Sequence, residues 1–406
     1  MKREFTIDEC QGGVTSPKGF TAGAFGCRIR RLKKDLALIV SEVPAAVAAV
    51  FTLNKTQAAP IIVSKAQMGR SQLCSAVVVN SGNANACTGE RGLNDAWEMV
   101  SATATALGIP DDQVIVSSTG VIGQYLPMER ITPGILALAK GITRNGGHDA
   151  AEAILTTDTY AKEVAVTFSL GKSAVTIGAM AKGSGMIAPN MATMLGFVTT
   201  DAAISQPLLD KALRSANEKS FNRITVDGDM STNDMVVILA NGMAKNAPIA
   251  EHTEEYHLFL AALEYVLIKL AKMIARDGEG ATKLIEINVT GAMTEAEAAR
   301  AAQAVANSNL VKTAIHGMDA NWGRIMAAVG YSGIDFDPEQ VEIFFNDLPI
   351  LGKNYAILLD EEKAKSVLAE ENITVLIDLN RGSSGARFWT CDLSKEYVHI
   401  NANYRS

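Results

Sequence analysis

With 406 residues, the chain has room for two or three domains or one large layered one, and its make-up of 48% hydrophobic and 20% charged residues is that of a globular protein. A net charge of −7 argues against a general nucleic-acid binder, and no run of about 18 apolar residues is present to span a membrane. The five cysteines show no CxxC spacing and the five histidines no HExxH, so the expectation is reduced thiols, no metal, no cofactor and a cytoplasmic location.

The N-terminal MKREFTIDECQGG is charged and lacks an apolar core, so no signal peptide is expected. The basic run RIRRLKK at 28–34 reads as a solvated edge or turn, because no aromatic residue interleaves it for stacking. Segments 36–40 and 49–53 are β-rich. Segment 76–79 is a strand running into the turn formers Asn80-Ser81-Gly82-Asn83-Ala84-Asn85, and 114–116 is a short strand opening into Ser117-Ser118-Thr119-Gly120. Helical spacing covers 93–107, 128–140 and 149–155. Segments 164–170 and 174–179 alternate about Gly171-Lys172-Ser173 and predict a hairpin that feeds a glycine-rich loop.

Beyond that loop, 195–200 (LGFVTT) reads as a buried strand and 206–219 as an amphipathic helix. Strands at 224–229 and 235–240 flank a turn-rich patch. A long helix at 254–276 stops at Asp277-Gly278-Glu279-Gly280. Strands follow at 284–289, 341–345, 375–379 and 398–401, with helices at 294–306 and 360–369. This irregular alternation with hairpins predicts a layered α/β fold with mixed sheets rather than a doubly wound parallel one.

The loop KGSGMIAPNMATML carries the most chemistry. Thr193 follows a small residue, Ala192, after a stretch that Gly183, Gly185, Pro189 and Asn190 bend sharply. If the 192–193 peptide bond breaks by an N-to-O acyl shift and hydrolysis, the new α-amine of Thr193 lies beside its own hydroxyl and can take its proton. A threonine at the start of a strand is also common without any function. An acyl-transfer site needs donors for an oxyanion; Thr119 and Gly120 are candidates, although a plain strand-to-loop turn fits them too. Lys182 can pair with a substrate carboxylate and Glu279 with a cationic group, which suits a zwitterionic amino acid. The Lys182-Gly183-Ser184-Gly185 stretch lacks the spacing of a phosphate cradle.

The segment GMIAPNMATMLGFVTTDA resembles the self-cleavage segment of the ornithine acetyltransferases, also called glutamate N-acetyltransferases. NSGNANACTG, SSTGVIG, AILTTDT, TVDGDMSTND, ARDGEGATK, HGMDANWGRI and the terminal NANYRS match in the same order along the chain. The resemblance implies a fold similar to, but not topologically identical with, N-terminal-nucleophile hydrolases. It implies cleavage between Ala192 and Thr193 into an α chain of residues 1–192 and a β chain of 193–406, assembled as two of each. Thr193 would be the nucleophile and Thr119 with Gly120 the oxyanion hole. Thr156, Lys182, Thr193, Glu279, Asn401 and Ser406 would contact substrate; relatives often carry threonine at the last position.

The implied reaction is ping-pong transfer of acetyl from N2-acetyl-L-ornithine to L-glutamate in arginine biosynthesis, and bifunctional relatives also accept acetyl-CoA. Two other readings stay open at this point: hydrolysis by an N-terminal-threonine aminopeptidase or amidase, and an uncut amino-acid-binding protein.

Overall fold

The structure, a computed structural model, describes residues 6–30, 33–188 and 194–403. The chain falls into two compact units: residues 1–183, 190–222 and 229–270 in the first, and 184–189, 223–228 and 271–406 in the second.

The first unit contains β1 (Asp8–Cys10), β2 (Phe20–Phe25), β3 (Leu36–Phe51), β4 (Leu73–Asn83), β5 (Val114–Val121), β6 (Lys162–Leu170), β7 (Ser173–Lys182), β8 (Leu195–Thr200) and β9 (Met235–Ala240). They build one sheet in the order β1-β6-β7-β8-β9-β3-β4-β5, with β2 also paired to β3. The β4–β5 and β8–β9 pairs are parallel and the others antiparallel, so the sheet is mixed.

Both faces of this sheet are apolar. Leu36, Leu38, Ala76, Val78, Val114 and Val116 point into one core cluster, and Ala37, Ile39, Val77, Val79 and Ile115 into another. That period of two is the geometry of a strand whose two sides are both covered. Helices α1 (Ala59–Arg70), α2 (Gly89–Leu107) and α3 (Met128–Ala139) supply Val63, Met99, Ile131 and Ile135 to the first cluster. Helix α4 (Gly147–Ala153) supplies Ala150 and Ala151 to the second. Each fully buried Val, Leu, Ile or Met contributes about 1.5–3 kcal/mol of transfer free energy. Helices α5 (Gln206–Glu218) and α6 (Glu254–Arg276) follow in the chain.

The second unit holds β10 (Leu284–Ala292), β11 (Glu342–Phe345), β12 (Leu348–Gly352), β13 (Ala356–Ile357), β14 (Asn372–Asp378) and β15 (Ser384–Cys391), ordered β13-β12-β11-β14-β10-β15. Its helices are α7 (Glu295–Ala306), α8 (Asn309–His316), α9 (Trp322–Gly330), α10 (Glu361–Leu368) and α11 (Lys395–Ala402). Ile285, Ile287 and Val289 of β10 and Val375 and Ile377 of β14 share a core with Ala298, Ala301, Ala302 and Val305 of α7. Among the described residues no helix is long and apolar enough to cross a membrane.

The layered α/β class agrees with the sequence reading, but several elements differ. The strands expected at 36–40 and 49–53 are one strand of 16 residues. Ser41-Glu42-Val43-Pro44 marks a register shift in the β3–β4 ladder, not a break; a bulge is where proline is tolerated in a sheet. Strands expected to end at 79 and 116 run on to Asn83 and Val121, with their polar residues buried. Segment 224–229 forms no strand beyond an isolated bridge from Ile224 to Trp389. Segment 398–401 is helical, inside α11, because Ser394 caps that helix by accepting a hydrogen bond from the Glu396 amide.

Candidate active site

In the first unit, the end of β5 is shaped by two glycines. Gly120 has φ +132° and sits opposite Gly82, φ +94°, in the parallel β4–β5 ladder. A Cβ on Gly120 would lie 2.2 Å from the Gly82 carbonyl carbon and 2.5 Å from the Asn83 nitrogen, a backbone clash that no rotamer relieves. Thr119, just before it, is buried. The surrounding NSGNAN stretch is held by side chains: Ser118 Oγ donates to Asn80 Oδ1 at 2.5 Å, and Asn80 Nδ2 donates to the Asn83 carbonyl at 2.8 Å. Asn233 Nδ2 donates to both the Ala84 carbonyl (2.7 Å) and the Ser118 carbonyl (2.8 Å), tying the approach to β9 onto the end of β5.

Strand β8 begins two residues after the predicted nucleophile. Ala192 and Thr193 themselves, like Pro189 and Asn190, lie outside the described residues, as does Ser406. The neighbours of β8 are clear. Lys182, the last residue of β7, pairs with Leu195, and Leu195 pairs on its other side with Met235. The Met235 amide donates to the Met194 carbonyl at 3.3 Å, which puts Asp234 beside the entry to β8. Lys182, at the end of β7, and Asp234, just before β9, thus flank that entry, and both are buried.

A second buried carboxylate lies on the Lys182 side. Asp158, with its side chain fully covered, takes the Lys162 ammonium at 2.8 Å and the Gly183 amide at 2.7 Å on Oδ1, and the Thr156 amide at 3.0 Å on Oδ2. The Lys182 ammonium is 3.9 Å from the same Oδ2. Arg30 secures this loop from outside by donating to the carbonyls of Leu155 (2.5 Å) and Thr156 (3.2 Å). Burial alone would push the Asp158 carboxyl up; the charges of Lys182 and Lys162 and the hydrogen bonds from Lys162 and Thr156 outweigh it and hold the group well below the usual carboxylate range.

Asp234 is in the opposite state. Among the described residues neither of its oxygens has a hydrogen-bond partner. Burial pushes its carboxyl well up, and the nearby Met194 amide, Lys182 charge and Ser231 and Thr52 hydroxyls oppose that push without cancelling it.

In the second unit, Glu279 is 7% exposed and does not face water, as a lone carboxylate between glycines ordinarily would. It accepts a hydrogen bond from Asn401 Nδ2 at 2.7 Å, so two residues that the sequence reading named separately meet directly. Asn401 also donates to the Tyr397 carbonyl one turn back in α11. A Cβ on Gly185 would fall 2.4 Å from the Glu279 carboxyl carbon, which explains a glycine there without any phosphate. Ser184 Oγ donates to the Asp277 carbonyl (2.7 Å), and the Asp227 carboxylate takes the amides of Met186 (2.6 Å) and Ile187 (2.9 Å).

Thr119, Gly120, Thr156 and Lys182 therefore belong to the first unit, and Glu279 and Asn401 to the second. Within the first, Thr156 and Lys182 share a partner in Asp158. Sequence reasoning missed Asp158, Asn233 and Asp234 as individual residues, although each lies in a motif that it quoted, AILTTDT or TVDGDMSTND. No cysteine competes as nucleophile from the interior: burial pushes the Cys27 thiol, aided by the Asp35 charge, and the Cys74 thiol to about 12, far from thiolate formation at neutral pH. Among the described residues no group of three or more His, Cys, Asp or Glu side chains could hold a metal ion.

A family model described as the ArgJ family matches residues 21–406. The arginine biosynthesis bifunctional protein ArgJ of Symbiobacterium thermophilum is 53% identical over 97% of this chain and 99% of its own. That of Bacillus subtilis is 49% identical over 99% of each. A crystal structure of the arginine biosynthesis bifunctional protein argJ from Bacillus halodurans is 46% identical with a TM-score of 0.51, covering 52% of this chain and 100% of the solved one.

Proposed function

Because this chain belongs to the ArgJ family, we propose that it is a self-cleaving acetyltransferase of arginine biosynthesis that carries the acetyl group on Thr193. The nucleophile is made by cleavage between Ala192 and Thr193. The Thr193 hydroxyl attacks the Ala192 carbonyl, the acyl group moves from nitrogen to oxygen, and water hydrolyses the ester to leave a free α-amine as the local base. The half-length of the solved Bacillus halodurans chain supports this cut, since residues 193–406 make up just over half of the sequence.

Transfer proceeds in two halves. Thr193 Oγ attacks the acetyl carbonyl of N2-acetyl-L-ornithine and L-ornithine leaves with a proton from the α-ammonium. L-glutamate then attacks the acetyl ester through its amine, giving N-acetyl-L-glutamate and restoring the hydroxyl. The Thr119 hydroxyl and Gly120 amide stabilise the oxyanion of both tetrahedral intermediates, a role worth about 3–4 kcal/mol per donor in comparable enzymes. The observation that carries this assignment is the close approach of Gly82 and Gly120: Gly120 has a φ of +132°, which only glycine adopts without strain, and no room for a Cβ, at the end of a strand buried from Val114 to Thr119.

Lys182 and Thr156, with Glu279, Asn401 and Ser406, bind the amino-acid portions of the substrates. Acetyl-CoA is accepted as a second donor, as the bifunctional names of the relatives suggest. The processed enzyme works in the cytoplasm as two α and two β chains.

Denatured intact mass of the purified protein tests the first step, with two fragments expected, the larger beginning at Thr193. Thr193→Ala stays one chain and loses transfer; a cleaved and active Thr193→Ala protein overturns the mechanism. Ornithine release from acetylornithine tests the second step. It requires glutamate in a transferase, and release indifferent to glutamate marks a hydrolase instead.

A further inference from the structure

Among the described residues, Asp158 is a carboxylate that meets two of the proposed substrate-binding residues. It lies two residues after Thr156, and its Oδ2 holds the Thr156 amide at 3.0 Å with the Lys182 ammonium at 3.9 Å. Its Oδ1 holds the Gly183 amide at 2.7 Å, so it also fixes the backbone that follows Lys182. The fourth group, the Lys162 ammonium at 2.8 Å, brings a second buried cation to the same carboxylate. Sequence-distant pieces, the loop after α4 and the end of β7, are thereby clamped by one side chain.

We propose that Asp158 is the positioning residue of this acyltransferase: it sets the Lys182 ammonium and the Thr156 backbone in register for a substrate carboxylate, and its charge keeps Lys182 protonated beside Lys162. The inference rests on the reading of Lys182 and Thr156 as substrate contacts. Its physical basis is that two ammonium groups gathered around one buried site repel each other strongly unless an anion lies between them. A lysine that loses its proton cannot hold a carboxylate by charge.

Two consequences separate this role from a merely structural one. Without the carboxylate, Lys182 faces the Lys162 ammonium and Asp234, whose burial drives it toward the neutral form, so it titrates lower and activity is lost on the alkaline side first. Removing the second cation along with the anion relieves that repulsion. The experiment uses the full-length enzyme after processing, with cleavage of every variant checked by mass. Steady-state kinetics with N2-acetyl-L-ornithine and L-glutamate are measured for Asp158→Asn, for Asp158→Asn combined with Lys162→Met, and for Lys182→Met, across a range of pH.

Asp158→Asn is expected to raise KM for both substrates by about tenfold or more, with the larger share of the loss in KM than in kcat, and to move the alkaline limb of kcat/KM down by about one pH unit. The double variant, which replaces a charged pair by a neutral one, regains part of the lost kcat/KM and returns the limb toward its wild-type position. It also keeps the test alive if the single variant fails to fold. A double variant with wild-type KM and pH profile, or one no better than Asp158→Asn, overturns the proposal. If Lys182→Met loses substrate affinity while Asp158→Asn keeps it, the role of Asp158 alone falls. Wild-type kinetics in Lys182→Met removes the underlying reading of Lys182, and Asp158 with it.

Discussion

Two aspartates stand near the entry to β8, both buried, and their surroundings drive them in opposite directions. Asp158 is surrounded by two ammonium groups and two backbone amides and stays ionised. Asp234 has no hydrogen-bond partner among the described residues and is driven toward its neutral form. Depth of burial does not distinguish them; the supply of donors does. A site that must hold a substrate carboxylate and also keep a second acid uncharged can do both with the same amino acid by surrounding each copy differently.

The contrast predicts opposite responses to the same substitution. Asp158→Asn removes the carboxylate that two buried lysines share, a loss on the order of 3–5 kcal/mol when one partner of a buried pair is removed. Its Tm at pH 7 should fall by about 10 °C in a thermal scan. An unchanged Tm would show that the lysines find other partners and that the clamp is not structural.

Asp234→Asn should act the other way. The folded-state pKa of Asp234 is raised above the unfolded value of about 3.9, so its contribution to stability is fully present below that pH and is lost as pH rises toward the folded value. Asparagine removes this dependence. The variant should therefore melt a few degrees higher than the wild type at pH 7–8, with the gap narrowing toward pH 4. The wild-type acid limb checks the other aspartate: the Asp158 pKa is depressed, so its contribution is present above about pH 4 and disappears as pH falls from there toward the folded value. A variant Asp234→Asn less stable than wild type at every pH would mean that the carboxylate is ionised and partnered after all.

The smallest effect belongs to exposed charges, which calibrate the other two. Lys211 and Glu251 pair on the surface with side chains about half exposed. Lys211→Ala should leave the Tm close to that of the wild type, with any difference shrinking further in high salt.

Much of the frame was legible beforehand. Strands 195–200 and 235–240, the hairpin around Gly171 and the helix at 254–276 carry strong local periodicity, and the structure has them at nearly the same bounds. The failures came where polar residues are buried in a ladder. Asn80, Ser81 and Ser118 look like turn formers in sequence, yet they lie in β4 and β5 because their side chains find buried partners far along the chain: Ser118 donates to Asn80 and Ser81 to the Ala153 carbonyl. Val398 to Asn401 alternates like a strand, but Ser394 caps a helix there. The same physics hid Asp158 and Asp234. Nothing in a local window says that a carboxylate four residues before a strand will meet a lysine 24 positions later, or that another will be buried without a hydrogen-bond partner among the described residues.

The order of the large sheet bears on what a cut at 192–193 would leave behind. Strands β8 and β9 come after that bond, but they sit between β7 and β3, which come before it. The newly separated fragment would be laced into the middle of its parent, hydrogen-bonded to it along both edges. Neither piece could drift away without unzipping two ladders, and neither would hold the nine-stranded sheet complete, although the six-stranded one lies wholly after the cut. Scission would therefore change the chemistry of one terminus while leaving the architecture intact, and halves produced separately should fail to find a stable shape until they meet.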